Sequence, residues 1–232
     1  MNRSSGMTNS LADMPVRVGT PGLPGELVVP LDAQALVLFV HGSGSSRLSP
    51  RNQWVAGILH RYRMATLLFD LLTESEGSDR RKVFDIDLLG QRVKQALDWV
   101  GGCKELTGLR IGLFGASTGA AAALVTAAER PGEVAAVVSR GGRPDLALDG
   151  LPQVQAPTLL IVGSEDCEVL ELNRAAMRAL RCCKRLEVVP GATHLFEESG
   201  ALECVAELGA AWFDTHLTQG WKGRPQHDQP IW

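Results

Sequence analysis

Six short apolar runs punctuate the chain: ALVLFV (35–40), ATLLFD (65–70), LRIGLFG (109–115), EVAAVVS (133–139), PTLLIVG (157–163) and KRLEVVPG (184–191). Their hydrophobicity is nearly continuous, which predicts strands of a parallel sheet covered on both faces rather than half-exposed strands. The stretches between them follow a helical period. Over 84–100 the apolar positions are Ile86, Leu89, Val93, Leu97 and Val100; over 201–217 they are Leu202, Val205, Leu208 and Trp212. Residues 118–130 are alanine-rich and stop at Pro131, as a helix packed close to a sheet would. Strand and helix alternate, so the fold class is α/β, with right-handed crossovers and helices on both faces of a mostly parallel sheet. Ahead of these elements, VRV (16–18) and GELVVP (25–30) predict an antiparallel hairpin at one edge. With no repeat and no inner linker, one domain is expected, its core at about 15–217 and mobile tails at 1–13 and 220–232.

Composition narrows the function. The chain has 232 residues, 45% hydrophobic and 21% charged, enough to bury a full core. A formal charge of −3 carries no basic excess, so no nucleic-acid partner is expected. No apolar run approaches the ~18–20 residues that span a bilayer, and the N-terminal residues show no secretory apolar region, so no membrane partner is expected. Five cysteines without a CxxC pair read as reduced thiols, which places the expected location in the cytoplasm.

Gly115-Ala116-Ser117-Thr118-Gly119 follows one predicted strand and opens the alanine-rich helix. This is GxSxG in strand–turn–helix context, the setting in which a serine is held in strained geometry at a helix N-terminus. Small residues two positions to either side are needed to avoid clashes, and the helix end favours negative charge. A chance match is expected about 0.15 times in a chain of this composition, so the strand before and the helix after carry much of the weight. Ser117 is the candidate nucleophile.

A serine hydroxyl needs a base, and the base needs an orienting acid. In such sheets both follow the serine, acid before histidine, in loops after strand ends. Asp166 follows PTLLIVG and His194 follows KRLEVVPG. Glu165 competes for the acid role, but Val169 can anchor the next helix beneath Asp166, leaving Glu165 facing water. Asp70 is the second-choice acid. His41 comes too early in chain order and is expected to shape the adjoining loop, while His60, His216 and His227 read as solvated or packed. The expected oxyanion donors are the backbone N–H groups of Thr118 and of Ser43, in the HGSGSS segment after the first central strand, with Gly44 as alternative. That segment lacks the Lys-Ser/Thr ending of a nucleotide-binding loop. Arg140 is expected either to bind an anionic acyl group or to pair with Asp145. No metal-ligand spacing is present, so no metal and no cofactor are expected. Only 17 residues separate the fourth and fifth runs, too few for a lid, so a shallow, wet cleft is expected.

Taken together, HG-S-GS, GASTG, G-SED-CEV and GATH resemble the α/β-hydrolase superfamily over residues 15–217. Stretches such as LLFDLLTESE, FDIDLLGQRV and SRGGRPDLA look like its dienelactone-hydrolase-like branch, including a subgroup sometimes fused to phosphoribosyltransferase domains, although no such domain is expected here. The resemblance implies an α/β-hydrolase fold without a large lid and a Ser117–His194–Asp166 triad. Dienelactone hydrolases proper carry a cysteine nucleophile and a glutamate in the loop after the first central strand, where this chain has Ser117 and HGSGSS. The implied activity is hydrolysis of small carboxylic esters through an acyl-serine. Acyl transfer, lactone hydrolysis or a non-catalytic binding module are the alternatives. The expected partner is a small-molecule ester; oligomeric state is not legible.

Overall fold

Each apolar run forms a strand. In the computed structural model, which describes residues 12–218, these are β3 (Ala35–Val40), β4 (Met64–Phe69), β5 (Arg110–Ala116), β6 (Val134–Arg140), β7 (Thr158–Gly163) and β8 (Lys184–Val189). β3, β4 and β7 are buried at every residue. Their side chains alternate between two cores: Leu36, Leu38 and Val40 join one, Ala35, Val37 and Phe39 the other. Burial on both faces is why the sequence shows continuous rather than alternating hydrophobicity.

The edge hairpin is β1 (Ala12–Val18) and β2 (Leu23–Val29), antiparallel to each other, with β2 antiparallel to β4. The sheet order is β1-β2-β4-β3-β5-β6-β7-β8, and every pair from β4 to β8 is parallel. Ala12 and Asp13, expected in a mobile tail, begin β1; the rest of that tail and residues 220–232 lie outside the described residues.

Helices cover both faces. α1 (Pro50–Arg61) and α7 (Ala201–Phe213) close one core. α4 (Ile86–Gly101), α5 (Thr118–Glu129) and α6 (Cys167–Ala179) pack on the other. Two short helices, α2 (Glu74–Gly77) and α3 (Arg80–Val83), precede α4. The segment between β6 and β7 holds a 3₁₀ run, Pro144–Gln153, and no lid. Among the described residues, no helix is long and apolar enough to cross a membrane.

Candidate active site

The tight turn from β5 into α5 places Ser117 at the helix N-terminus with φ 51° and ψ −121°, outside the regions favoured by a residue bearing a side chain. Small flanking residues make the turn possible. A Cβ on Gly115 would lie 2.5 Å from Ala120 Cα, and one on Gly119 only 2.1 Å from the Val40 carbonyl oxygen. The Ser117 side chain does not cap α5, so its hydroxyl is left at the end of a helix whose free N–H groups favour negative charge.

Two neighbouring loops are locked together after β7 and β8. Glu165 N–H donates to Ala192 O (3.0 Å) and Gly191 N–H to Ser164 Oγ (2.8 Å), while a Cβ on Gly163 would sit 2.1 Å from Ala192 O. The pairing brings Asp166 Oδ2 to 2.6 Å from His194 Nδ1. The Asp166 side chain is 14% exposed and that of His194 38%. Asp166 occupies the N-cap of α6 without capping it. Buried Phe196 anchors the loop just beyond His194.

β6 links the groups. Ser117 N–H donates to Arg140 O (3.2 Å), and Gly141 (φ 52°) lies so close to the His194 ring that an added Cβ would be 3.4 Å from Nδ1 and Cε1. No hydrogen bond joins Ser117 Oγ to His194, an arrangement common where catalytic hydrogen bonds tighten only around substrate.

The loop after β3 runs against the elbow: a Cβ on Gly42 would be 3.0 Å from Ser117 Cβ. His41 holds this loop. Its Nε2 accepts from Leu71 N–H (3.0 Å), which puts its proton on Nδ1, facing Gly42 O (3.0 Å). Burial pushes the His41 pKa down, so the ring is neutral. Arg47 N–H and guanidinium both donate to Asp70, so the second-choice acid braces this loop instead of meeting His194.

Three expectations need correction. Ser43 N–H, expected to be a free oxyanion donor, donates to Thr118 Oγ1 (3.0 Å), because the first helical residue turns its hydroxyl back to the loop. Arg140 does not pair with Asp145; Arg143 takes that carboxylate at 2.8 and 2.7 Å. Sequence reading also missed a cavity along the loop after β3, walled by the 71–89 segment and lined by neither Ser117 nor His194. It measures about 480 Å³, lies beside Ser43 and is bounded by Leu71, Leu72, Thr73, Val83 and Leu89. The signal for that wall was present: Thr73 and Glu76 form a capping box that starts α2. Elsewhere His60 bonds to Thr66 Oγ1, His216 packs on Trp212, and Glu165 is exposed. His227 lies outside the described residues.

Comparison with known proteins agrees with this architecture. Residues 73–212 match the dienelactone hydrolase family. A crystal structure of dienelactone hydrolase from Anabaena variabilis is 52% identical, covers 90% of this chain and 98% of its own, and superposes with a TM-score of 0.85. Carboxyl esterase 2 from Tuber melanosporum, 16% identical, covers 92% of this chain and 89% of its own with a TM-score of 0.70, a likeness of fold alone. Two curated Mycobacterium tuberculosis proteins, each named "Putative phosphoribosyl transferase", are 51% identical over 220 residues and 92% of this chain; the chain spans about half of their length. With the α/β-hydrolase architecture and a family match over more than half of the chain, including β5 to β8, the chain belongs to the dienelactone hydrolase family.

Proposed function

We propose that this protein is a serine carboxylesterase. The observation that carries the reading is the 2.6 Å contact of His194 Nδ1 with Asp166, beside a serine in strained backbone geometry. Asp166 accepts from Nδ1–H and so leaves Nε2 unprotonated and basic. Nε2 takes the proton of Ser117 Oγ as that oxygen bonds to the ester carbonyl carbon. The carbonyl oxygen becomes an oxyanion, met by the Thr118 N–H at the N-terminus of α5. Each such donor contributes about 2.7–4 kcal/mol to the transition state. As the tetrahedral intermediate collapses, the alkoxide leaves with the proton from His194. Water then attacks the acyl-Ser117, giving a proton to His194, and the second tetrahedral intermediate collapses, breaking the bond to Ser117 Oγ, which takes that proton back as the acid is released.

The apolar side chains around the 480 Å³ cavity suit small to medium esters. Five unpaired cysteines favour the cytoplasm as the location. The phosphoribosyl transferase name belongs to chains about twice as long, of which this chain matches about half. The test is turnover of neutral nitrophenyl esters. Ser117→Ala and His194→Ala should each lose about 10⁵–10⁶-fold in kcat; retention of activity in either would overturn the proposal.

A further inference from the structure

β8 is the last strand of the sheet, and among the described residues no strand pairs with its outer edge. Its register shows which groups that edge offers. Thr158 N–H donates to Cys183 O and Ser164 N–H to Val189 O, both at 2.9 Å, so the odd-numbered backbone groups face β7. The N–H and C=O groups of Lys184, Leu186 and Val188 therefore point away from the sheet. Side chains alternate along the same strand. Leu186 packs beside Val169 and Leu170 of α6, while Val189 joins the core under α7. Arg185 and Glu187 share the α7 face with Val189.

An open edge is a template for another strand, and proteins ordinarily guard it with charge or proline. The opposite edge has such a guard in Pro15 of β1, which has no N–H to offer. On β8 the charged side chains are turned aside. Lys184 Nζ donates to Leu180 O just beyond α6, and Arg185 pairs along the strand with Glu187. Val188, although apolar, is 39% exposed. The order of charges also fits one partner. Two copies of β8 running antiparallel about an axis through Leu186 set each Arg185 opposite the partner's Glu187, and each Lys184 opposite the partner's Val188. In that register every outward N–H and C=O of β8 meets its counterpart, and the opposite charges fall at the closely spaced positions.

We propose that a second copy of this chain completes the β8 edge, giving a two-fold homodimer in which the two sheets are continuous. An interface across a two-fold axis needs a self-complementary strip, and Arg185-Leu186-Glu187 is one: cation and anion lie symmetrically about the apolar residue on the axis. The interface is narrow, so association falls in the micromolar range of small contacts rather than in that of an obligate dimer. Association at this edge is independent of the reaction at Ser117. The strand ends before His194, and antiparallel pairing leaves the two sites at opposite ends of the paired strands, so turnover per chain should not change on assembly.

Sedimentation velocity from low micromolar to submillimolar protein should show wild type passing from monomer to dimer. Arg185→Glu sets like charge against the partner's Glu187 on both sides of the axis, and Glu187→Arg does the same against the partner's Arg185. Each should weaken dimerisation by about 10-fold or more. Mixed together, the two variants should form a heterodimer, since every facing pair is again of opposite charge. The double variant Arg185→Glu/Glu187→Arg should dimerise with itself and not with wild type. Restoration by charge exchange separates a lost contact from a folding defect. Amide hydrogen exchange gives a second reading: Leu186 and Val188 should exchange more slowly as concentration rises, while Arg185 and Glu187 stay protected throughout. A wild type that is monomeric at the highest concentration would overturn the proposal, whether the edge stays bare or residues 219–232 take it. So would a dimer indifferent to both single substitutions, a mixture that fails to associate, or exchange at Leu186 and Val188 that ignores concentration.

Discussion

Asp166 stands where an aspartate would ordinarily cap its own helix, yet its carboxylate goes to His194. A carboxylate withdrawn from capping is doing another job, so Asp166→Asn should reduce ester kcat by about 10⁴-fold through loss of the right imidazole tautomer. Asp70→Asn should cost far less, since Asp70 meets Arg47 and not His194; steady-state kinetics on both variants would reverse the assignment if Asp70→Asn were the inactive one. His41 gives a second prediction at this scale. Burial lowers its pKa in the folded state below the ordinary 6.5. As pH falls through that value the unfolded chain binds a proton that the folded ring refuses, so the stability it contributes is full above about 6.5 and drains away below. Melting temperature should fall from pH 7 to pH 5, and fall less in His41→Asn; parallel curves would contradict this. The sequence showed Ser117, Asp166 and His194 as candidates because each follows an apolar run that ends abruptly. It could not show that Thr118 Oγ1 engages Ser43 N–H, or that Arg143 outcompetes Arg140 for Asp145. Both depend on side-chain directions that spacing does not encode.

At the scale of elements, the elbow between β5 and α5 is set by close backbone approach. Gly119→Ala would push a methyl group to 2.1 Å from Val40 O and 2.4 Å from His41 O, neither of which is a flexible side chain. We expect a loss of about 3 kcal/mol or more in denaturant unfolding, near the upper end for overpacking. Gly57, exposed in the middle of α1 with open space around its Cα, should respond oppositely, gaining roughly 0.5–1 kcal/mol on Gly57→Ala from helix propensity. Equal effects at the two glycines would mean that the elbow is looser than drawn. The strands and long helices were legible because each buries enough side chains to impose a period. α2 and α3, four residues each, bury none, so hydrophobic pattern could not reveal them and only the Thr73 and Asp79 caps marked their starts.

For the molecule as a whole, function follows from three loop systems meeting at the carboxyl ends of β3, β5, β7 and β8, as open α/β sheets arrange their sites. The β6–β7 connection, short enough to exclude a lid, was legible by counting residues; the wall at 71–89 was marked only by the Thr73 and Asp79 caps, because the short helices within it bury no side chains. A cavity of about 480 Å³ holds only part of a long acyl chain. Specificity constants should therefore rise by up to about fourfold per methylene, as ~0.8 kcal/mol of burial allows, and flatten after a few carbons. A steady climb to sixteen carbons, or a jump when substrate forms micelles, would contradict this cavity. The central claim is that Ser117 is the residue that becomes acylated. Its most direct test is intact-protein and peptide mass spectrometry after treatment with a fluorophosphonate. One adduct per chain is expected, located on Ser117, absent from Ser117→Ala and strongly slowed in His194→Ala. An unmodified Ser117, or an adduct on another residue that persists in Ser117→Ala, would contradict it.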